Sequence, residues 1–254
     1  MLSGVNRKTT HYRQKLSVRA RQRVNEVVAC LKLAGHDPET GLLLDLGCGW
    51  GHIHRCLLER GIEAVGVELN REVLHRAKKH VPKGSFVLAD GCNLPFVSEC
   101  FTTVISNDVL EHVPYSLANP LLSDVHRTLK ENGRFYISVA NKYQINEPHT
   151  LIPFLTWFPR PCWNSIHKFV RKAPLSEEYY PYTLTMLKGC CRQTDFSYTD
   201  FTWVYASKKI SKLDYIGNPA VKKVAKALKK FGLTRCAQIV AEKVSIIVFV
   251  CTKK

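Results

Sequence analysis

The sequence predicts a single α/β domain, with a mostly parallel, seven-stranded sheet, helices on both faces and two inserts. Three observations lead there. From Leu42 onward, short apolar runs alternate with amphipathic stretches at the spacing of strand–helix units. The first of these runs ends in clustered glycines directly before a helix, the kind of join at which open α/β sheets meet their ligands. The 254 residues, 45% hydrophobic and 23% charged, suffice for a sizeable core.

The elements follow in order. Residues 1–35 read as a basic helix, because Leu16, Val24, Val27, Val28 and Leu31 recur at near-helical spacing. In the core, 36–141, Leu42–Leu46 is a buried strand and His52–Arg60 a helix. Ala64–Leu69, Glu72–His80 and Phe86–Ala89 read as strand, helix, strand. Phe101–Ser106 is the fourth strand, Ser116–Lys130 the next helix, and Phe135–Val139 a fifth strand after the turn at Asn132-Gly133. Residues 142–181 then break the rhythm. They are rich in Pro and aromatics without periodicity, which reads as an acceptor-side insert. Within 182–254, Thr183–Arg192 is helical, Phe196–Tyr205 alternates as a strand and Val244–Cys251 is a last apolar strand. A second, basic insert spans 206–243.

Charge and cysteine usage narrow the classes. The net charge of +16 sits at the two ends: eight Lys/Arg against one Glu in 1–35, and twelve against two acids in 208–254. An acidic partner would therefore meet the ends rather than the neutral middle. No apolar run reaches the roughly 18–20 residues of a membrane span. The ten cysteines form no CxxC and no Cys/His ligand spacing, so no metal site is assigned. They read as reduced core thiols of a cytoplasmic protein. The first 25 residues lack acids, as a mitochondrial presequence does, but they run on into the apolar-periodic helix.

The glycine loop, Asp45-Leu46-Gly47-Cys48-Gly49-Trp50-Gly51, differs from the dinucleotide fingerprint, since His52 stands where a third spaced glycine belongs. Asp45 precedes the glycines, where it would repel a pyrophosphate but suits an ammonium group. Glu68 ends the second strand, placed for two ribose hydroxyls. Asp90 ends the third, where a carboxylate accepts from an exocyclic amine. Acids after three successive strands fit a ligand with a cationic tail, a ribose and an adenine.

At this point the sequence resembles class I S-adenosylmethionine-dependent methyltransferases, especially the group that includes the ubiquinone-biosynthesis O-methyltransferases. LLLDLGCGWG, the acid of GVELN, LADGCNLPF, ISNDVLEHV and LKENGRFYISVAN carry the resemblance, in the family's order from Leu42 to Asn141. It implies a Rossmann-like methyltransferase fold with S-adenosyl-L-methionine as cofactor. Asp45, Gly47, Gly49 and Gly51 would form the loop at its methionine end, Glu68 would bind the ribose, and Asp90 with Gly91 the adenine. Asn107 would border the methyl group. Thr102 departs from the family, which usually has Asp there.

Methyl transfer from a sulfonium is an in-line displacement, which the protein serves by aligning the reactants and excluding water. The faces of Trp50 or Tyr12 suit the cationic sulfonium, although Trp50 reads first as a packing residue. A hydroxyl acceptor needs a base. His149, at the start of the insert, is the first candidate and His112 the second. Asp108, Glu111 and His112, at i, i+3 and i+4, would share a helical face. Some quinone O-methyltransferases hold a divalent metal at such a cluster, but Asp108 stands where Glu is usual.

The apolar insert 151–163 reads as a cap on the sheet, the lining of an apolar acceptor pocket, or a lipid-interface segment. Residues 220–231 form an apolar stripe opposite five lysines, suited to packing on the sheet or to lying on an anionic membrane. The expectation is a small-molecule or lipid-linked acceptor methylated on oxygen, with peripheral membrane contact. RNA methylation and non-catalytic binding of S-adenosylmethionine are the alternatives. Against RNA, Asn107-Asp108-Val109-Leu110 stands where amino-methylating nucleic-acid enzymes carry Asn/Asp-Pro-Pro-aromatic.

Overall fold

A computed structural model describes residues 3–145, 152–172, 179–202 and 246–253, with side chains from Leu16 on. Helix α1 (Ser3–Leu33) precedes the alternation β1 (Leu43–Leu46), α2 (His52–Leu58), β2 (Ala64–Glu68), α3 (Arg71–His80), β3 (Ser85–Leu88), β4 (Phe101–Asn107), α4 (Tyr115–Thr128) and β5 (Leu129–Val139). Then come α5 (Arg160–Arg171), α6 (Leu184–Gln193), β6 (Phe196–Asp200) and β7 (Ile247–Lys253). The seven strands form one sheet in the order β3-β2-β1-β4-β5-β7-β6. The first five run parallel, and β7 lies antiparallel between β5 and β6. This is the predicted mostly parallel α/β sheet.

Strand alternation distributes the apolar residues between two cores, one on each face. Leu43, Ile105, Tyr136, Val248 and Val250 face α1 and α2, together with Val24, Val27 and Leu31 of α1. Leu44, Val104, Phe135, Ile137 and Phe249 face the other way, against Leu121, Leu122 and Val125 of α4. Burial on both faces explains why these strands read as continuous apolar runs. Each fully buried aliphatic side chain contributes about 1.5–3 kcal/mol.

Several expectations are corrected. The second half of the aromatic insert contains α5, which the sequence pattern did not reveal. Trp163, Ile166 and Val170 do recur at helical spacing, but only Trp163 is buried and Ile166 half-buried, while Phe169 and Val170 are exposed. The Pro- and aromatic-rich surroundings hid this short stripe. β5 starts at Leu129 and runs through Asn132-Gly133. The register shift between Phe101 and Thr103 absorbs this kink as an irregularity within the β4–β5 pair. β6 stops at Asp200, whose carboxylate accepts from the Thr202 N–H at 3.0 Å. Thr102 ties the chain instead of an acid: its hydroxyl lies 3.0 Å from Thr40 O and 3.2 Å from Leu42 O. The described cysteines are free thiols, and Cys191 and Cys251 meet in the core at 3.6 Å between sulfurs. The basic insert 206–243, including the stripe 220–231, lies outside the described residues.

Candidate active site

The chain steps outward from β1 to β2 and β3, then returns to place β4 on the other side of β1. Ligands of open α/β sheets bind at the carboxyl ends of the strands around such a reversal. The predicted residues that the structure describes gather there.

After β1 the backbone takes left-handed values at Gly47 (φ 70°), Gly49 (φ 54°) and Gly51 (φ 76°). At Gly47 a side chain is also excluded by space, since a Cβ would lie 2.5 Å from a methyl of Val109, just beyond β4. Glu68, at the end of β2, stitches the loop. Its Oε2 accepts from the Gly49 N–H at 3.1 Å and its Oε1 from the Asn70 N–H at 2.9 Å. Asp90 lies two residues beyond β3 and accepts from the Cys92 N–H at 2.9 Å. The Gly91 backbone closes on Leu46 and Leu121, which a Cβ would meet at 3.3 and 3.2 Å.

Asp45 lies beneath the loop rather than on its surface. It is only 2% exposed, and its Oδ2 lacks a hydrogen-bond partner and stands 3.7 Å from His54 Nδ1. Burial raises its pKa above the ordinary carboxylate value. Trp50 is 46% exposed, so it is no core residue, and the Arg76 guanidinium sits 5.2 Å from its ring centroid. Tyr12 lies in α1, in the part without described side chains.

On the β4–β5 side, Asn107 ends β4 opposite Ser138, and both polar atoms of its side chain are buried without a partner. Asp108 follows in a left-handed conformation (φ 55°). One of its oxygens meets Arg23 of α1 at 2.5 Å, and the other accepts from Ser138 Oγ at 2.9 Å. Glu111 is 3% exposed, and its Oε2 has no partner. Burial, reinforced by the neighbouring Asp108, pushes its pKa up to about 8. His112 is exposed, its ring 6.4 Å from that of Tyr179. The segment 179–182 closes this side. The Tyr180 N–H donates to Glu111 O at 2.7 Å, the Tyr115 hydroxyl donates to Pro181 O at 2.7 Å, and Arg160 lies 3.8 Å over the Tyr180 ring.

Asp108, Glu111 and His112 do not share a helical face. Asp108 is left-handed, ahead of a short 3-10 turn (Leu110–His112) in which Glu111 turns inward and His112 outward. Among the described residues no group of three His, Cys, Asp or Glu is arranged to hold a metal. His149 lies outside the described residues. Sequence reasoning missed Arg23 and the Tyr-Tyr-Pro-Tyr run as parts of this end. The tyrosines were visible in the sequence, but nothing local aimed them at the site.

Residues 44–137 match the family model of the methyltransferase domain. The chain is 35% identical over 112 residues to an uncharacterized methyltransferase of Mycobacterium leprae, a match covering 42% of this chain and 40% of that one. A Synechocystis uncharacterized methyltransferase is 33% identical over 93 residues, 37% of this chain and 44% of its own. The chain thus spans less than half the length of these curated relatives. Among solved structures, YcgJ of Bacillus subtilis superposes with a TM-score of 0.55 at 14% identity, over 93% of this chain and 98% of that one. Phosphoethanolamine N-methyltransferase 2 of Haemonchus contortus, solved with S-adenosylhomocysteine, superposes at 0.57 with 20% identity, over 91% and 52%. The chain therefore shares the Rossmann-like fold of these structures.

Proposed function

We propose that this protein is an S-adenosylmethionine-dependent methyltransferase that methylates oxygen on a small or lipid-linked acceptor. One observation carries the first part. Asp45, Glu68 and Asp90 stand at the carboxyl ends of the adjacent strands β1, β2 and β3, around a loop whose left-handed glycines leave its backbone bare. The residues fit the cofactor. The unpartnered Asp45 oxygen suits its ammonium group, the Glu68 carboxylate its ribose hydroxyls, Asp90 with the close-packed Gly91 backbone its adenine, and the unpartnered Asn107 amide the region of the methyl group. When bound, the cofactor supplies an electrophilic methyl on a cationic sulfur.

The protein's own groups do the rest. Arg23 and Ser138 hold Asp108 in one orientation beside Asn107. Burial and the neighbouring Asp108 favour the neutral form of Glu111, whose unpartnered oxygen is then available as a hydrogen-bond donor. His112 is left as the described candidate base at this end, with His149 the other candidate. Oxygen as the acceptor atom is supported by the motif likeness to the ubiquinone-biosynthesis O-methyltransferases. A lipid-linked acceptor is supported by the apolar, aromatic character of the insert.

The test incubates purified protein and host extract with methyl-labelled S-adenosylmethionine, then separates organic-soluble, small polar, RNA and protein fractions. Label in the organic-soluble or small polar fraction, on oxygen, is the expected result. Label in RNA overturns the acceptor class. Cofactor binding with no label in any fraction overturns catalysis.

A further inference from the structure

We propose that the aromatic turn 152–158 and helix α5 behind it are the surface by which this protein docks on an anionic lipid bilayer. The inference deepens the lipid-side reading of the acceptor, but its test needs no methyl transfer.

Exposed apolar side chains are concentrated here. Of the fifteen exposed large apolar residues among the described ones, six fall within 143–170: Tyr143, Phe154, Trp157, Phe158, Phe169 and Val170. Phe169 is 88% exposed, and Trp157 and Phe158 are 50% exposed. A patch of this kind marks an interaction surface.

The patch stands on a fixed base. Ile152, Leu155 and Trp163 turn inward and build a small core with Ala140 and Tyr179. Three hydrogen bonds tie the turn to the segment leaving β5. The Phe154 N–H donates to Ile145 O at 2.6 Å, the Thr156 hydroxyl to Lys142 O at 2.6 Å, and the Trp157 indole N–H to Gln144 O at 3.2 Å. Phe154 is left-handed (φ 60°, ψ 10°), where a bulky residue is an outlier. That conformation costs about 1–2 kcal/mol, yet the residue it carries is an exposed phenyl ring rather than glycine. Strain that places an apolar group in water points to a surface made for a partner.

Charge selects the partner. Residues 152–172 carry Arg160, Lys168, Arg171 and Lys172 and no acid. Lys168 and Arg171 bracket Phe169 and Val170 in the last turn of α5. Interfacial aromatics with interleaved cations match a bilayer of anionic lipid, to which each surface cation adds about 1 kcal/mol. Single-stranded RNA also takes aromatics with cations, but it stacks successive bases on aligned ring faces. Here the rings stand nearly perpendicular, Phe154–Trp157 at 5.2 Å and 86°, Tyr143–Trp157 at 6.1 Å and 89°, a compact cluster rather than a row of parallel platforms. The turn follows β5 on the acceptor side, so docking through it brings that end of the site to the lipid.

The full chain is sedimented at low salt with vesicles of phosphatidylcholine, alone or mixed with phosphatidylglycerol. It should pellet with the mixed vesicles only. The exposed pair Trp157→Ser with Phe158→Ser, and separately Lys168→Glu with Arg171→Glu, should weaken this by about tenfold or more, while Val97→Ser on a distant surface should not. Should the aromatic variant melt early, brominated lipid reads the parent directly: tryptophan emission is quenched, and Trp157→Phe removes most of that quenching. Failure to pellet with anionic vesicles overturns the proposal. So does pelleting that the aromatic and charge variants leave unchanged, or aromatic-dependent retention on single-stranded RNA in place of vesicles. S-adenosylmethionine binding is followed in the same preparations, so failure on vesicles leaves the methyltransferase reading standing.

Discussion

On the β1–β3 side of the site, the chain passes through left-handed conformations at Gly47, Gly49 and Gly51. On the β4–β5 side it does so at Asp108 and Phe154. Glycine makes such turns nearly free of strain and leaves backbone for a ligand to lie against. The other two residues accept about 1–2 kcal/mol of strain each and in return hold a side chain in a set direction. One side is thus a backbone-lined surface with carboxylates stitched into it, and the other a set of individually aimed side chains. The first arrangement suits a ligand common to many proteins. The second is where an acceptor peculiar to this chain would be read.

Substitutions sharpen or break that contrast. The largest effect is expected at Gly47→Ala, where left-handed strain of about 1–2 kcal/mol adds to overpacking of about 1–3 kcal/mol against Val109. Gly49→Ala has open space around its Cβ and bears the strain alone. Thermal melts should therefore separate the two variants by several degrees, and equal melting would show that Val109 does not constrain the loop.

Next in size, Glu68→Gln should weaken S-adenosylhomocysteine binding about tenfold or more by calorimetry, since hydrogen bonds to a charged group contribute about 1.5–3 kcal/mol. Undiminished affinity would remove Glu68 from the cofactor side. On the β4–β5 side, burial and the neighbouring Asp108 push the Glu111 pKa from an ordinary 4.5 up to about 8. The folded protein keeps a proton that the unfolded chain releases, so stability falls as pH rises through that interval and levels off above it. Glu111→Gln removes this loss. It should melt higher than the parent above pH 8 and nearly with it near pH 4.5, and a pH-independent difference would contradict the assigned burial. Smallest of all, Phe154→Gly relieves strain but frees the unfolded chain, so its melting should move by about 1 kcal/mol or less. A large loss of stability would mean that the phenyl ring packs rather than presents itself.

Most of the β1–β3 side was legible beforehand. Asp45, the glycines, Glu68 and Asp90 each stand at or near the end of an apolar run, as Asn107 does across the sheet on β4, and the carboxyl ends of neighbouring parallel strands converge. Asp45 stands at its strand end as the pattern indicates, but its depth was not legible, because its burial under the loop depends on the packing of His54 and Phe86. Helix α5 was not legible, although Trp163, Ile166 and Val170 recur at helical spacing. The helix is only twelve residues long and is set among prolines and further aromatics that break the periodicity of 142–181 as a whole.

The sequence by itself determined the α/β sheet, the helices that alternate with its parallel strands, and which acids and glycines stand at the strand ends. Strand alternation, helical spacing and glycines before a helix are local patterns, complete within a few consecutive residues. Only the tertiary structure decided that Arg23 clasps Asp108 across 85 positions, that Glu111 loses its water and that Phe154 and Trp157 keep theirs. Such outcomes follow from which distant surfaces come together, and no local pattern carries them.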